Sequence, residues 1–181
     1  MQLHQFSRRD MLKLASAAAV IGLFAPLFHI SPVQAAEKVK KSLVVYFSMP
    51  ETDNPQNMTR EEENSTVVIN GKVLGNTQYV AQLIQEMTGG DIFRILPQKP
   101  YPTDHRTLVD LAREEQKQDA RPIIAGTLEA PEAYDTIFIG YPNWWGDMPM
   151  ILYTFLEQYD FSGKTLVPFC THGGSGFSGT I

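Results

Sequence analysis

Ser42-Leu43-Val44-Val45-Tyr46-Phe47-Ser48 is a continuous apolar run of strand length that ends in a small polar residue. A strand of this kind is typical of a parallel sheet that is covered on both faces. Helical and strand patterns alternate further along the chain. The expected elements are a helix over residues 76–87, a strand over 91–95, a surface helix beginning at Thr103 or Asp104, a strand over 135–141, a helix that Asp147 opens, and a strand over 165–170. This alternation predicts an α/β fold, a doubly wound parallel sheet with helices on both faces.

The loops after the strands are where a ligand is expected, because doubly wound sheets bind ligands beyond the carboxyl ends of their strands. Ser48 ends the first strand, and Gly75, Asn76 and Thr77 open the first long helix. Backbone N–H groups at a helix N-terminus, together with Ser and Thr hydroxyls, form an anion site that suits a phosphate. These residues are therefore predicted to bind a phosphate group.

An insertion over residues 50–74 separates the two halves of this phosphate site. It begins as a polar, acidic loop and continues as two β-branched runs around Asn70-Gly71. Asn-Gly in this setting predicts a β-hairpin, since both central residues need positive φ. The hairpin is expected to stand beside the phosphate site, and a solvated decoration without function is the open alternative.

The loop after the third strand contains Pro142, Asn143, Trp144, Trp145 and Gly146, and so both tryptophans of the chain. A rigid aromatic face at the mouth of a sheet is suited to stacking on a flat heteroaromatic ring. We expect one tryptophan to stack on a ligand and the other to pack in the core. Trp145 is favoured for stacking because it adjoins Gly146, which lets the backbone approach closely.

The loop after the fourth strand begins Thr171, His172, Gly173, Gly174. Its glycines leave backbone N–H groups accessible to a ligand. His172 is a candidate donor to a ring carbonyl, with a solvated surface histidine as the alternative.

Composition excludes several classes of protein. Hydrophobic residues make up 43% and charged residues 19% of the 181, which is incompatible with a wholly disordered chain. The formal net charge of -5 gives no basic patch for nucleic acid. The single cysteine, Cys170, has no intramolecular disulfide partner and is expected to be a small core residue. Small molecules or other proteins are the expected partners.

The N-terminal segment has the pattern of an export signal. Arg8 and Arg9 precede an apolar run over residues 14–27, and small residues follow near Ala35. The run is shorter than the roughly 20 residues that span a bilayer, although a stable membrane anchor remains an alternative. The pattern resembles a twin-arginine signal, which implies cleavage after residue 35, a domain over residues 36–181, transient contact with the membrane, and a location in the bacterial periplasm.

The three loops together, in this order along the chain, resemble those of the flavodoxin-like family, over residues 42–181. The resemblance implies a doubly wound sheet with FMN at its edge. It also implies that Ser48, Asn76 and Thr77 hold the phosphate, that residues 142–146 contact the isoalloxazine ring, and that residues 171–174 line its other side.

Two features depart from the family pattern. The phosphate motif is interrupted by the insertion, and Leu74 stands where a threonine is usual in the family. The chain also ends just after the fourth strand, whereas the family has a fifth strand and a final helix. The expected strand order is therefore 2-1-3-4, and a C-terminally truncated chain is the expected reason.

The resemblance implies a flavoprotein in which FMN performs the redox chemistry. The leading hypothesis is an electron carrier in the periplasm that meets a redox partner protein or a small-molecule electron acceptor. An FMN-dependent NAD(P)H:quinone-type oxidoreductase is the close alternative. A flavodoxin-shaped binding module that has lost flavin is the third.

Overall fold

The computed structural model describes residues 41–180, so the predicted signal peptide over residues 1–35 lies outside the described residues. A four-stranded sheet forms the centre of this part of the chain. Its strands are β1 Ser42–Tyr46, β4 Asp91–Arg94, β7 Thr136–Pro142 and β8 Thr165–Thr171. They are all parallel and lie in the order β4-β1-β7-β8. The predicted α/β fold and the predicted order 2-1-3-4 are confirmed.

Three long helices cover the two faces of this sheet: α2 Asn76–Thr88, α3 His105–Lys117 and α4 Met150–Gln158. Successive side chains of a strand point to opposite faces. Val44 and Tyr46 accordingly pack with Ala81 of α2. Leu43, Val45 and Phe47 belong instead to the larger core cluster, which includes residues of α3 and α4. Burial on both sides thus accounts for the apolar run of β1.

Side-chain hydrogen bonds shape the starts of two helices, and one of these helices begins later than predicted. The Asp104 carboxylate caps α3 by accepting the Thr107 N–H at 2.9 Å. Helix α4 begins at Met150 and not at Asp147. The Asp147 carboxylate accepts the Met148 N–H at 2.7 Å and also a hydrogen bond from the Tyr153 hydroxyl. Asp147 therefore shapes the turn before the helix.

The insertion is more ordered than its sequence indicates. Residues 66–75 form the antiparallel pair β2 Thr66–Ile69 and β3 Lys72–Gly75, and Asn70 and Gly71 between them both have positive φ. The predicted acidic loop is wrong in part, because it contains the helix α1 Arg60–Ser65. A capping box between Thr59 and Glu62 stabilises this helix, and its first turn is rich in glutamates.

A second small sheet, which the sequence did not indicate, pairs β5 Leu96–Pro97 with β6 Ile124–Ala125. A short 3₁₀ helix covers Pro131–Ala133. Within residues 41–180, no helix combines the length and the apolar character needed to cross a membrane.

Candidate functional site

A cavity of about 860 Å³ lies at the carboxyl edge of the sheet. Its volume falls within the usual range for small-molecule and cofactor sites, roughly 300–1,000 Å³. Most of the predicted site residues line it, namely Ser48, Asn76, Thr77, Pro142, Asn143, Trp144, Thr171, His172 and Gly173. The predicted residues Gly75, Trp145, Gly146 and Gly174 are described but lie outside this lining. The fold therefore brings all three predicted loops to one cavity.

One corner of the cavity is rich in hydroxyl groups. Ser48 and Thr77 are almost fully buried, and the Thr77 Oγ1 lies 2.7 Å from the Thr171 Oγ1. Within residues 41–180, no side chain caps the first turn of α2, which begins at Asn76. Hydroxyls beside an uncapped helix N-terminus are the donor set that a phosphate requires.

Gly75 makes this corner compact. A Cβ atom at Gly75 would collide with the Ser48 Oγ, so the end of β3 lies directly against the end of β1. The Asn76 side chain donates to the Asn64 carbonyl at 2.7 Å and so joins the corner to α1. The two halves of the interrupted phosphate motif are therefore adjacent in the fold, despite the insertion between them. Asn76 uses its amide for this link, which the sequence did not indicate.

The two tryptophans occupy different environments. Trp144 lines the cavity and also packs edge-on against Phe47 and Tyr101, at centroid distances of 5.5 and 5.6 Å. Trp145 is half exposed, and its Nε1 donates to the Val109 carbonyl of α3 at 3.0 Å. The sequence favoured Trp145 as the ring beside the ligand. In the structure, Trp144 lines this cavity and Trp145 does not. Trp144 thus lies both at the cavity and against the core, the two positions that were expected to be divided between the pair.

Asn143 joins the second and third loops. Its backbone N–H donates to the Thr171 carbonyl at 2.8 Å, and its side-chain amide donates to the Gly176 carbonyl at 3.0 Å. Its Oδ1 accepts the Gly146 N–H at 3.0 Å. Asn143 therefore fixes the relative position of two loops that line the cavity.

His172 has an assignable hydrogen-bonding pattern. Its Nδ1 accepts the Gly174 N–H at 3.0 Å. Because Nδ1 acts as an acceptor, the neutral ring carries its proton on Nε2. His172 is exposed at the cavity rim, and no residue within 41–180 accepts a hydrogen bond from its Nε2–H, which leaves that group available for the predicted contact with a ring carbonyl.

Cys170 lies half-buried in the lining of the cavity and packs against the core. Burial raises the pKa of its thiol. The thiol therefore stays protonated and unreactive near neutral pH, in keeping with a packing role.

One polar pair at the cavity has no signal in the sequence. The His105 Nδ1 lies 3.0 Å from both carboxylate oxygens of Glu51, and the Glu51 side chain is 8% exposed. Glu51 lies near the start of the insertion and His105 begins α3, so the two are 54 positions apart and share no motif. Arg60, Glu61 and Asn64 of α1 also line the cavity. The insertion is thus one wall of the site.

The comparisons with known proteins agree with this architecture. The family model described as Flavodoxin matches residues 66–181. The chain belongs to the flavodoxin family. The family prediction is therefore confirmed.

Solved structures of proteins described as flavoproteins resemble the chain over about three quarters of its length. A protein described as a flavoprotein from Bacteroides eggerthii is 32% identical, with a TM-score of 0.60 over 77% of this chain and 76% of that one. A similarly described protein from Bacteroides uniformis is also 32% identical, with a TM-score of 0.60 over 78% of each chain. A flavoprotein from Lactobacillus acidophilus, solved in complex with FMN, shares the fold at 20% identity and a TM-score of 0.55, over 75% of this chain and 76% of that one. No curated protein sequence matches the chain.

Proposed function

We propose that the protein binds FMN in the large cavity and serves as a redox protein. The observation that carries this proposal is a set of hydroxyl groups at the uncapped start of α2, in a cavity of cofactor size: those of the buried Ser48 and Thr77 and of the partly buried Thr171. Bound FMN would supply one- and two-electron transfer, while the protein sets its position and potential. The FMN complex of the Lactobacillus acidophilus flavoprotein supports the choice of cofactor.

Each group of residues has a distinct part in this proposal. Ser48, Thr77 and the backbone N–H groups at the start of α2 would hold the phosphate. Trp144 would contact the isoalloxazine ring, and the Nε2–H of His172 would donate to a ring carbonyl. Leu74 replaces the usual threonine, but the contact of Gly75 with Ser48 closes the phosphate corner without it.

Thr77→Val is expected to weaken FMN binding. Valine keeps the shape of threonine but removes a hydroxyl, and a hydrogen bond to a charged group contributes about 1.5–3 kcal/mol, or roughly 10- to 150-fold in Kd. Full-length protein purified from the cytoplasm should be yellow and release FMN on denaturation, and titration of the apoprotein with FMN gives the Kd of each variant.

Thr154→Val is the matched control for this experiment. Thr154 lies in α4, away from the cavity lining, and its hydroxyl is buried without a hydrogen-bond partner among the described residues. Its replacement should leave the FMN Kd unchanged. Equal FMN affinities for wild type and Thr77→Val would contradict the proposal that the Thr77 hydroxyl holds the phosphate. A colourless wild-type protein that takes up no FMN would favour a binding module that has lost flavin.

An FMN-dependent NAD(P)H:quinone-type oxidoreductase is the second candidate. The pair formed by Glu51 and His105 favours it, because an electron carrier has no need of an acid–base pair in its cavity. Steady-state oxidation of NAD(P)H by the purified holoprotein, with a quinone as acceptor, separates the two candidates. A pure carrier shows no such turnover.

We further propose that the protein acts in the periplasm after export through the twin-arginine pathway. The support is the sequence pattern at Arg8 and Arg9, followed by an apolar run. A formal net charge of -5 would steer basic redox partners toward the protein.

Replacing Arg8 and Arg9 together by lysine is expected to leave the precursor in the cytoplasm. The charge is unchanged, but arginine and lysine are not interchangeable where the guanidinium itself is recognised. Fractionation of cells followed by immunoblotting measures the effect. Lys13→Arg, which also preserves charge, is the control and should be exported normally. Undiminished periplasmic protein after the double change would contradict the assignment.

A further inference from the structure

A second cavity, of about 660 Å³, runs along α3 and is here called the α3 groove. Its walls are residues 97–102, residues 120–123 and one face of α3, formed by Thr107, Leu111 and Glu115 at intervals of four residues. Within the described part of the chain, it shares no lining residue with the large cavity. Its volume also falls in the range of small-molecule sites, roughly 300–1,000 Å³, so the α3 groove has room for a ligand of its own.

The walls of the α3 groove are mainly apolar. Prolines contribute to them, together with Tyr101, Leu111 and Ile123. Leu111 and Ile123 are exposed, and 63% of Ile123 is open to solvent. Covering such surface with an apolar group is favourable, because it removes apolar area from water. The walls therefore favour a ligand with a hydrocarbon part.

Tyr101 and Glu115 supply an oriented polar pair in the groove. Tyr101 is 7% exposed, and its hydroxyl donates to the Glu115 Oε2 at 2.8 Å. Burial and the neighbouring carboxylate raise the pKa of the Tyr101 hydroxyl, so Tyr101 stays the donor and Glu115 the acceptor. The Glu115 Oε1 accepts no hydrogen bond from residues 41–180. One carboxylate oxygen is thus left for a ligand.

The Glu115 carboxylate also lacks a cationic partner among residues 41–180. Burial raises the pKa of this carboxyl, and the hydrogen bond from Tyr101 opposes the rise only in part. A carboxylate that has lost part of its water without gaining a cation is stabilised when a cation binds beside it. The charge at Glu115 therefore favours a ligand with a positive group.

The two cationic side chains of the groove do not offset Glu115. The Arg121 guanidinium lies 2.7 Å from an Asp119 carboxylate oxygen and 2.8 Å from a Glu157 carboxylate oxygen, so two carboxylates accompany one cation. Lys99 is exposed, and solvent and salt screen its charge. A cationic ligand therefore complements the groove better than an anionic one.

We propose that the α3 groove is a binding site for an apolar primary amine, whose ammonium group donates to Glu115 while its hydrocarbon part covers Leu111 and Ile123. An ammonium group has three N–H donors and no acceptor, which suits a carboxylate with an unused oxygen. The ring of Tyr101 also packs edge-on against Trp144, with centroids 5.6 Å apart. The amine site is thus separated from the large cavity by a layer of aromatic side chains, and its occupation does not depend on FMN.

Three adamantane derivatives that differ in one polar group test the charge preference. The probes are 1-adamantylamine, a cation at neutral pH, the neutral 1-adamantanol, and the anion 1-adamantanecarboxylate. A saturated cage is chosen because it does not stack on flavin as an aromatic probe would. Isothermal titration calorimetry of the full-length protein, with and without excess FMN, gives each Kd. The amine should bind at least about 10-fold more tightly than the alcohol, because a hydrogen bond between charged groups is stronger, and the carboxylate should bind most weakly.

Glu115→Gln tests where the ammonium group binds. Glutamine keeps the length of the side chain and an oxygen that accepts the Tyr101 hydroxyl, but it removes the charge. The amine should then bind only as well as the alcohol, while the affinity for the alcohol changes little. Asp110→Asn is the matched control, since it removes the same charge from an exposed position of α3 outside the groove, and it should keep the wild-type preference for the amine.

Ala120→Leu tests where the cage binds. It adds bulk to the wall of the groove and should weaken binding of the amine and the alcohol alike, by at least about 10-fold, since an overfilled site excludes its ligand. Ala133→Leu, on the exposed 3₁₀ helix, should bind both probes as wild type does.

Four results would overturn this inference. Equal affinities of the wild-type protein for amine and alcohol would contradict the role of charge, and this comparison needs no variant to fold. Tightest binding of the carboxylate would assign the groove to an anion held by Lys99 and Arg121. A preference for the amine that survives in Glu115→Gln would place the ammonium group elsewhere, and displacement of the amine by FMN would place the probe in the large cavity. A protein that takes up no FMN would contradict the proposed function instead, and the titrations without FMN still decide whether the groove binds the amine.

Discussion

Trp144→Ala is expected to weaken FMN binding about 5- to 150-fold, because stacking of an aromatic side chain on a base-like ring contributes roughly 1–3 kcal/mol. The same change should lower the free energy of unfolding by about 3 kcal/mol, near the lower end for loss of a large aromatic side chain. The physical reason is the double contact of this ring, which lines the cavity and packs against Phe47 and Tyr101. Titration of the apoprotein with FMN and urea unfolding of the apoprotein measure the two effects separately.

Trp145→Ala is the matched control for Trp144→Ala. Its ring contacts α3 through Val109 and Arg113, so its loss should have a small effect on FMN affinity. The reverse outcome, weaker FMN binding in Trp145→Ala and unchanged binding in Trp144→Ala, would return the stacking role to Trp145. That outcome would contradict a cavity lined by the Trp144 ring.

Gly140→Ala is expected to destabilise the fold by about 1–3 kcal/mol, the usual cost of forcing extra atoms into a packed core. Gly140 lies in the central strand β7 and pairs with both β1 and β8. A Cβ atom at this position would collide with the ring of Phe169, its partner in β8. Since both neighbouring strands fix its backbone, relief requires movement of the Phe169 ring. Urea unfolding of the apoprotein measures the loss.

Two further variants make the Gly140 result specific. Combining Gly140→Ala with Phe169→Ala should cost less than the sum of the two single changes, because the second removes the ring that the first collides with. Gly173→Ala adds the same methyl group where no heavy atom of the described chain lies within 4 Å, and it should leave stability nearly unchanged. Equal unfolding free energies for Gly140→Ala and wild type would show that β7 accommodates a side chain there.

The sheet could be predicted from the sequence because its signal is local and strong. The apolar run of β1 has Leu43 and Val45 on one face and Val44 and Tyr46 on the other, and both faces are buried. A short run without polar positions is typical of a strand that is covered on both faces. The strands that follow carry similar runs, and their alternation with helices indicates a parallel arrangement.

Helix α1 and the pair of Glu51 with His105 could not be predicted, for different reasons. None of the six residues of α1 is buried, so it has no apolar periodicity, and the capping box between Thr59 and Glu62 is its main stabilising feature. Glu51 and His105 meet only because the insertion packs beside α3. Such a contact depends on tertiary structure and leaves no spacing signal.

The sequence could not show which of Trp144 and Trp145 lies at the cavity, and the reason is geometric. Adjacent residues in a loop point in directions that depend on backbone angles, and the φ of Trp145 has the sign that glycine usually adopts. The glycine that follows it suggested close approach of the backbone to a ligand. Instead, the positive φ of Trp145 accompanies a ring that is hydrogen-bonded to α3.

The junction between β3 and α2 bears on the entropy of binding. β3 ends at Gly75 and α2 begins at Asn76, with no residue between them to serve as a hinge, and the Asn76 amide is bonded to the Asn64 carbonyl. The conformational freedom of this segment is therefore lost when the chain folds, before any ligand arrives. A preorganised pocket keeps more of its interaction energy as affinity, because little ordering remains to oppose association. The insertion that interrupts the motif in sequence thus holds the start of α2 in place through the hydrogen bond between Asn76 and Asn64.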